Sequence, residues 1–143
     1  MEIVEAKNYR ESIAAMLETE KLPASDLPAV LENFIVAKQN DEVIGAIGIE
    51  RYGNYSLLRS MVVKHDFRGQ GIASKLVKQI EDLALEQGSG TIFLLTETAP
   101  GYFSRKGYKK IGRADVPAEI QQSSEFSFVC PQSAVVMMKT LSA

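Results

Sequence analysis

The chain has 143 residues, of which 45% are apolar and 24% are charged, and its formal net charge is −2. A chain of this length buries roughly two-thirds of its unfolded surface as one domain, so we expect a single domain over residues 1–143. Scattered charges argue against a nucleic-acid partner, and the apolar runs are too short to cross a bilayer. With one cysteine, Cys130, and no secretory pattern at the start, we expect a cytoplasmic protein without a disulfide or zinc site.

The first half of the chain combines one helix with a run of strands. Apolar residues at helical spacing predict a helix over residues 7–20, and a short helical turn is expected around residues 27–31. The pattern then changes to period two, which predicts three strands joined by turns at residues 39–42 and 52–55. We expect these strands to form an antiparallel meander.

The second turn determines which residues face each other. If positions 53–54 form a two-residue hairpin loop, Gly48 lies opposite Arg59 and Glu50 lies opposite Leu57. Glu50 and Arg59 then lie diagonally across the strand pair on one face of the sheet, where their side chains can meet.

The second half of the chain predicts a parallel crossover. The third strand, residues 57–63, is apolar apart from Arg59 and Ser60, which indicates a central strand. An amphipathic helix over residues 71–87 and an apolar strand at residues 91–96 follow, and such a unit joins parallel neighbours. The remaining elements are a short helix at 100–106, a strand at 108–112, a helical turn after Pro117 and a last strand at 134–141. The predicted fold class is α/β, a single domain whose mixed central sheet has an antiparallel N-terminal meander, a parallel strand-helix-strand crossover and flanking helices.

A glycine-containing turn, "RGQGIA", begins the long helix. A helix N-terminus has unpaired N–H groups and the positive end of the helix dipole, which favour a bound anion. The amides from Gly69 to Ala73 can cradle a pyrophosphate, with Arg68 adding charge. The alternative is a loop whose glycines only satisfy turn geometry.

Two other nucleotide motifs fit less well. The Gly-Lys-Ser/Thr of a P-loop does not occur. A dinucleotide fingerprint is matched by Gly69 and Gly71, with Glu97 placed to bind a ribose. However, Ser74 replaces its third small residue, and antiparallel strands precede the turn.

The order of these segments resembles the GNAT acetyltransferase family over essentially the whole chain. The family's pyrophosphate motif, (Gln/Arg)-x-x-Gly-x-(Gly/Ala), is matched by Arg68, Gly71 and Ala73. Within the family, "LLRSMVV", "LLTETA" and "CPQSA" resemble the small ArsN-type acetyltransferases associated with arsenic-resistance operons. The segment "LLRS" is also similar to N-acetylglutamate synthase domains.

The resemblance implies acetyl-CoA as a cosubstrate and no metal ion. It places the pantetheine arm along the third strand of the meander, where a backbone N–H of Met61 or Val62 polarises the thioester carbonyl. It assigns the following residues to cosubstrate binding: Met61, Val62, Val63, Arg68, Gly69, Gln70, Gly71, Ile72, Ala73, Ser74 and Phe103.

Charged residues near the expected thioester are candidates for the acceptor site. Glu50 is the candidate catalytic carboxylate, which takes a proton from the substrate ammonium through water or binds that ammonium; the alternative is a plain ion pair with Arg59. The planar fork of Arg59 suits a substrate carboxylate, or a phosphinate or arsenate-like oxyanion. Glu97 and Thr98, at the end of a parallel strand, are further candidates for substrate binding.

The acid for the leaving thiolate is where the chain departs from the family pattern. Many members have a tyrosine four residues before the glycine of a Gly-Phe/Tyr pair, and here that position is Phe103. Tyr102 is expected to pack in the core. The thiolate can leave without a side-chain acid, because thiols are fairly acidic. His65 is expected to be solvated and Cys130 to be inert.

We therefore predict an acetyl-CoA-dependent N-acetyltransferase that transfers the acetyl group directly to a small amine, an amino acid or an amino-acid-like compound. The alternatives are a non-catalytic acyl-CoA-binding sensor and a peptide or protein N-acetyltransferase. A homodimer formed through residues 125–132 is a further hypothesis.

Overall fold

The computed structural model describes residues 1–22, 24–25, 27–97, 99–123 and 134–141. The strands are β1 (Glu2–Glu5), β2 (Phe34–Gln39), β3 (Glu42–Tyr52), β4 (Tyr55–Val63), β5 (Thr91–Thr96), β6 (Lys109–Ile111) and β7 (Val135–Thr140). The helices are α1 (Arg10–Thr19), α2 (Ile72–Glu86), α3 (Pro100–Arg105) and α4 (Ala118–Gln121). Short 3₁₀ turns occupy His65–Phe67 and Arg113–Asp115.

The strands form one mixed sheet in the order β1-β2-β3-β4-β5-β7-β6. All neighbours are antiparallel except β4 and β5. The predicted α/β class, meander and parallel crossover are therefore confirmed. Strand β1 was not predicted, because four residues show too little alternation to be recognised.

The hairpin between β3 and β4 has the predicted register. Its loop is Gly53-Asn54, Gly48 pairs with Arg59, and Glu50 pairs with Leu57. The register shifts by one residue between Ala46 and Gly48, which marks a β-bulge in β4. The sequence pattern did not reveal this shift.

The sheet separates two apolar layers. On one face, α2 packs through Leu76 and Ile80, and α3 contributes to the same cluster. On the other face, α1 packs over β2, β3 and β4 through Ile13 and Leu17, and α4 packs on β4, β5 and β7 through Ile120. We call the second face the α1 face. At ~25 cal/mol per Å² of apolar area, burial of these layers is the main source of stability.

A polar network crosses the α2 layer. The Tyr108 hydroxyl donates to the Glu81 carboxylate at 2.9 Å, and the Lys139 ammonium donates to the same carboxylate at 3.0 Å. Burial, together with the nearby Glu81 charge, raises the pKa of Tyr108. The network joins α2 to β7 and to the start of β6, so it fixes the C-terminal strands against the long helix.

The predicted helical turn at residues 27–31 is wrong. Ala29 and Val30 form a bend, and no helix is present among residues 27–31. Pro28 disfavours helical geometry at Leu27. In addition, the Arg10 side chain donates to the carbonyl oxygens of Leu27 at 3.0 Å and Pro28 at 3.3 Å. The other predicted helices are confirmed. None of the helices among the described residues combines the length and apolarity needed to span a membrane.

Replacing Tyr108 with phenylalanine tests the polar network. At neutral pH, Tyr108→Phe removes one donor to a buried carboxylate and should lower the free energy of unfolding by about 1–2 kcal/mol. Above pH ~10, the unfolded chain loses the Tyr108 proton while the folded chain keeps it. The stability of the parent should therefore fall with pH more steeply than that of the variant, by about 1.4 kcal/mol per pH unit.

The measurement is urea unfolding of both proteins between neutral pH and about pH 11. Tyr55→Phe is the matched control, since Tyr55 makes a ring contact with Phe93 at 5.7 Å and sits outside the Glu81 network. Tyr55→Phe should change neither the free energy of unfolding at neutral pH nor its dependence on pH. Equal pH slopes for the parent and Tyr108→Phe would contradict the prediction.

Candidate active site

Strands β4 and β5 pair for only part of their length. Parallel pairing joins Tyr55–Leu57 to Thr91–Phe93 and then stops, although β4 continues to Val63 and β5 to Thr96. The two strands therefore leave a gap at their C-terminal ends, in the middle of the sheet. Backbone N–H and C=O groups along such a gap can receive an extended ligand in the manner of an added strand.

A bulge at Ser60 shapes the β4 side of this gap. Ser60 has φ of 59°, a left-handed conformation that is unusual for a residue other than glycine. The extra residue changes the alternation of β4, so that Arg59 and Val62 both lie on the α1 face, while Met61 packs toward α2. Backbone outliers of this kind cluster at functional sites.

The backbone direction beyond the bulge follows from two hydrogen bonds. The Lys64 N–H donates to the Ile44 carbonyl of β3 at 2.8 Å. Because backbone groups alternate along a strand, the Val62 N–H also points to β3, while the N–H groups of Met61 and Val63 point into the gap. The Arg68 side chain agrees with this, since its Nε donates to the Val63 carbonyl at 3.2 Å. Of the two predicted carbonyl polarisers, this geometry favours Met61.

The glycine turn connects this gap to α2. Gly69 and Gly71 have φ of 82° and 79°, and Gly71 is the N-cap residue of α2, where no side chain caps the helix. The first amides of α2 thus lack intrahelical acceptors and remain available to an anion. Ile72 is buried in the core, so only its backbone is placed to bind. Gln70 is exposed, and Ala73 and Ser74 are half-buried.

The Arg68 guanidinium lies toward α1. Besides its bond to Val63, its Nη2 forms an ion pair with the Glu20 carboxylate at the end of α1. Arg68 was predicted to add positive charge for a pyrophosphate. In the structure the Glu20 carboxylate balances that charge. Glu20 was missed from the sequence, because nothing in the local pattern of a helix end indicates a contact with a distant loop.

Glu50 and Arg59 meet on the α1 face, as the hairpin register predicted. Arg59 is 2% exposed, and its Nη1 lies 3.4 Å from Glu50 Oε2. The Tyr52 hydroxyl donates to Glu50 Oε1 at 3.2 Å. The Phe34 ring lies over Gly48, where a side chain would collide with it, and the ring is 6.0 Å from the Arg59 guanidinium. The absence of a side chain at Gly48 thus leaves room for the Phe34 ring beside the Arg59 guanidinium.

The other candidate site residues, Phe103, Tyr102 and Glu97, differ in how far they are buried. Phe103 is 4% exposed and packs against Tyr108 in the core, so its predicted contact with the cosubstrate stays a prediction. Tyr102 is half-buried, and its hydroxyl shares a 3.3 Å hydrogen bond with Ser74 in the first turn of α2. Glu97 is exposed just after β5.

Thr98 and Cys130 lie outside the described residues, as does the segment 125–132. His65 is exposed, as expected. Among the described residues, no group of His, Cys, Asp and Glu side chains is arranged to hold a metal ion.

A cavity of about 680 Å³ opens beside α1. Met16 of α1 and the C-cap residue Glu20 line it, together with Val62 of β4 and Lys64 and Phe67 after β4. It therefore lies beyond the bulge, next to the Arg68 ion pair.

Comparisons with known proteins agree with this architecture. A family model described as an acetyltransferase (GNAT) domain matches residues 31–110. An uncharacterised N-acetyltransferase of Chlorobaculum tepidum, CT2212, is 33% identical over 116 residues, which cover 78% of this chain and 72% of that protein.

Two solved structures have the same fold. Rv2747 from Mycobacterium tuberculosis, in complex with CoA and a second ligand, has a TM-score of 0.82 at 22% identity and covers 99% of both chains. N-acetylglutamate synthase from Neisseria gonorrhoeae, complexed with coenzyme A and N-acetyl-glutamate, has a TM-score of 0.85 at 15% identity, over 99% of this chain and 35% of that one. At these identities the likeness concerns the fold alone.

Two glycines at opposite ends of α2 form a matched pair that tests the glycine turn. Gly71 and Gly88 have φ of 79° and 89°, and a methyl group added at either would meet nothing within 4 Å. Alanine should cost each site about 1–2 kcal/mol of stability, because both need the left-handed conformation. Only at Gly71 would the methyl group stand where an anion must approach.

Gly71→Ala should therefore raise the KM for acetyl-CoA by about tenfold or more, whereas Gly88→Ala should leave it unchanged. Steady-state kinetics and thermal unfolding of both variants provide the measurement. A similar KM in the two variants would contradict the assignment of the turn.

Proposed function

Since the chain belongs to the GNAT acetyltransferase family, we propose that it transfers the acetyl group of acetyl-CoA to a small amine of the amino-acid type. Use of acetyl-CoA and N-acetyl transfer follow from the family. The choice of acceptor is supported by one observation, the ion pair of the buried Arg59 with the partly exposed Glu50 on the α1 face beside the bulge.

The pair matches the charges of an amino acid. Arg59 and Glu50 place one positive and one negative group 3.4 Å apart. An α-amino acid likewise has a carboxylate next to an ammonium group. Arg59 would bind the carboxylate through its planar fork, and Glu50 would bind the ammonium. Because the four charges balance, the complex would bury no net charge.

The same residues provide the steps that acetyl transfer needs. Glu50 receives a proton from the substrate ammonium through water, which leaves a neutral amine. The amine nitrogen then attacks the thioester carbonyl carbon while the Met61 N–H donates to the carbonyl oxygen as negative charge develops there. As the carbon–sulfur bond breaks, the CoA thiolate leaves, and the nitrogen that formed the new carbon–nitrogen bond loses its second proton to water. Water also protonates the thiolate, since Phe103 has no proton to give.

The amide groups of the glycine turn hold the CoA pyrophosphate in this proposal. The residues from Gly69 to Ala73 lie at the start of α2, where free amides and the helix dipole favour an anion. The pantetheine arm lies in the gap between β4 and β5, where Met61 and Val63 offer backbone partners.

The resemblance to ArsN-type acetyltransferases narrows the acceptor further. It supports an amino-acid-like compound whose oxyanion is a carboxylate, a phosphinate or an arsenate-like group, all of which suit Arg59. Arsenic itself enters only through this resemblance. The cytoplasm remains the proposed location and a homodimer the proposed assembly.

Acceptor preference tests the role of Arg59. CoA release, followed with a thiol reagent, is measured against amino acids, phosphinothricin-like analogues, polyamines and short peptides. We expect an amino acid to be acetylated about a hundredfold faster, in kcat/KM, than the same compound without its carboxylate, because the latter leaves Arg59 without its substrate partner. Faster release with peptides or polyamines would contradict the proposal and favour a different acceptor.

A matched pair of variants isolates the guanidinium. Arg59→Lys keeps the charge but loses the planar fork, so it should abolish most of the preference for the carboxylate while leaving acetyl-CoA binding intact. Arg51→Lys, an exposed position on the neighbouring strand, is the control and should behave as the parent. If Arg59→Lys kept the preference for acceptors with a carboxylate, the proposed role of Arg59 in the acceptor site would be wrong.

A further inference from the structure

The Arg68 side chain is held at two points, one at the end of β4 and the other at the end of α1. Its Nε donates to the Val63 carbonyl at 3.2 Å, and its Nη2 pairs with the Glu20 carboxylate. The Glu20 side chain is 25% exposed, and the Arg68 side chain is 50% exposed. The carboxylate of this ion pair is therefore better shielded from water than the guanidinium.

The end of α1 fixes the position of Glu20. The Leu22 N–H donates to the Leu17 carbonyl at 2.8 Å, and the Lys21 N–H donates to the Glu18 carbonyl at 3.0 Å. These two bonds define a Schellman motif in which Glu20 is the C-cap residue. Leu17 is fully buried and Leu22 packs against the same cluster, which locks the turn to the core.

Two features of this turn oppose stability. Lys21 has φ of 58°, a left-handed conformation that glycine adopts far more readily. A carboxylate at Glu20 also lies near the negative end of the α1 dipole, where acidic side chains are disfavoured. Backbone strain of this kind persists when the surrounding structure enforces it, and it clusters at functional sites.

We propose that Glu20 is a positioning residue for acetyl-CoA, acting through Arg68. Arg68 stands between two parts of the cosubstrate site, because it binds the gap-facing carbonyl of Val63 and directly precedes Gly69. By holding the guanidinium, Glu20 fixes both the end of β4 and the entry to the glycine turn. Since Glu20 balances the charge of Arg68, the backbone amides provide the attraction for the anion.

This role makes α1 part of the cosubstrate site. Helix α1 also lines the cavity beside Val62, so the ion pair joins the wall of that cavity to the glycine turn. The proposal concerns acetyl-CoA and does not depend on which amine is the acceptor.

A double-mutant cycle tests the proposal. Glu20→Gln should raise the KM for acetyl-CoA, and the Kd for CoA measured by calorimetry, by about three- to fivefold, with kcat within about twofold of the parent. In the Arg68→Gln background, Glu20→Gln should have no further effect, because its partner is absent. Glu20→Asp should recover part of the affinity, since it restores the charge.

The control is Glu42→Gln, which breaks the exposed ion pair with Lys64 on the rim of the same cavity. It should change neither KM nor Kd. Three results would overturn the proposal: independent, multiplying effects of Glu20→Gln and Arg68→Gln, tighter CoA binding in Glu20→Gln, or a loss of thermal stability in Glu20→Gln with unchanged affinity. Calorimetry with CoA alone gives these results without any acceptor, so they stay separate from a failure of the amino-acid proposal.

Discussion

The early end of pairing between β4 and β5 is the constraint on which the rest of the site depends. After Leu57 and Phe93 the two parallel strands separate, although both continue along the sheet. Backbone groups in the middle of a sheet need partners, and unsatisfied ones are costly. A ligand with amide groups of its own can provide them. The bulge at Ser60 then directs the backbone N–H groups of Met61 and Val63 toward the gap, while the Arg59 side chain stays on the α1 face.

The ion pair between the buried Arg59 and the partly exposed Glu50 is hard to explain by stability alone. Arg59 occupies a place in a central strand where an apolar side chain would pack, and Gly48 leaves room for Phe34 above it. Replacing a buried ion pair with apolar residues of similar volume is often neutral or stabilising. The proposed role of Arg59 and Glu50 in recognising a charged substrate offers a reason for a pair in such a place.

Much of this arrangement was predictable from local patterns. The Gly53-Asn54 loop fixes the register that brings Glu50 to Arg59, and the glycine turn at Gly71 marks the start of α2. The bulge was not predictable, because Ser60 has no composition cue for a left-handed conformation and a shift of one residue changes the face of each later side chain. The Glu20 contact with Arg68 depends on tertiary packing of α1, so no spacing rule reveals it.

In the proposed complex, acetyl-CoA fills the gap between β4 and β5. Amide hydrogen exchange at residue resolution, measured by NMR with and without CoA, tests it most directly. We expect the amides of Met61 and Val63 to become protected when CoA binds, while Val62, already directed to β3, changes little. Binding of CoA without added protection at Met61 and Val63 would contradict this placement, because the ligand would then lie outside the gap.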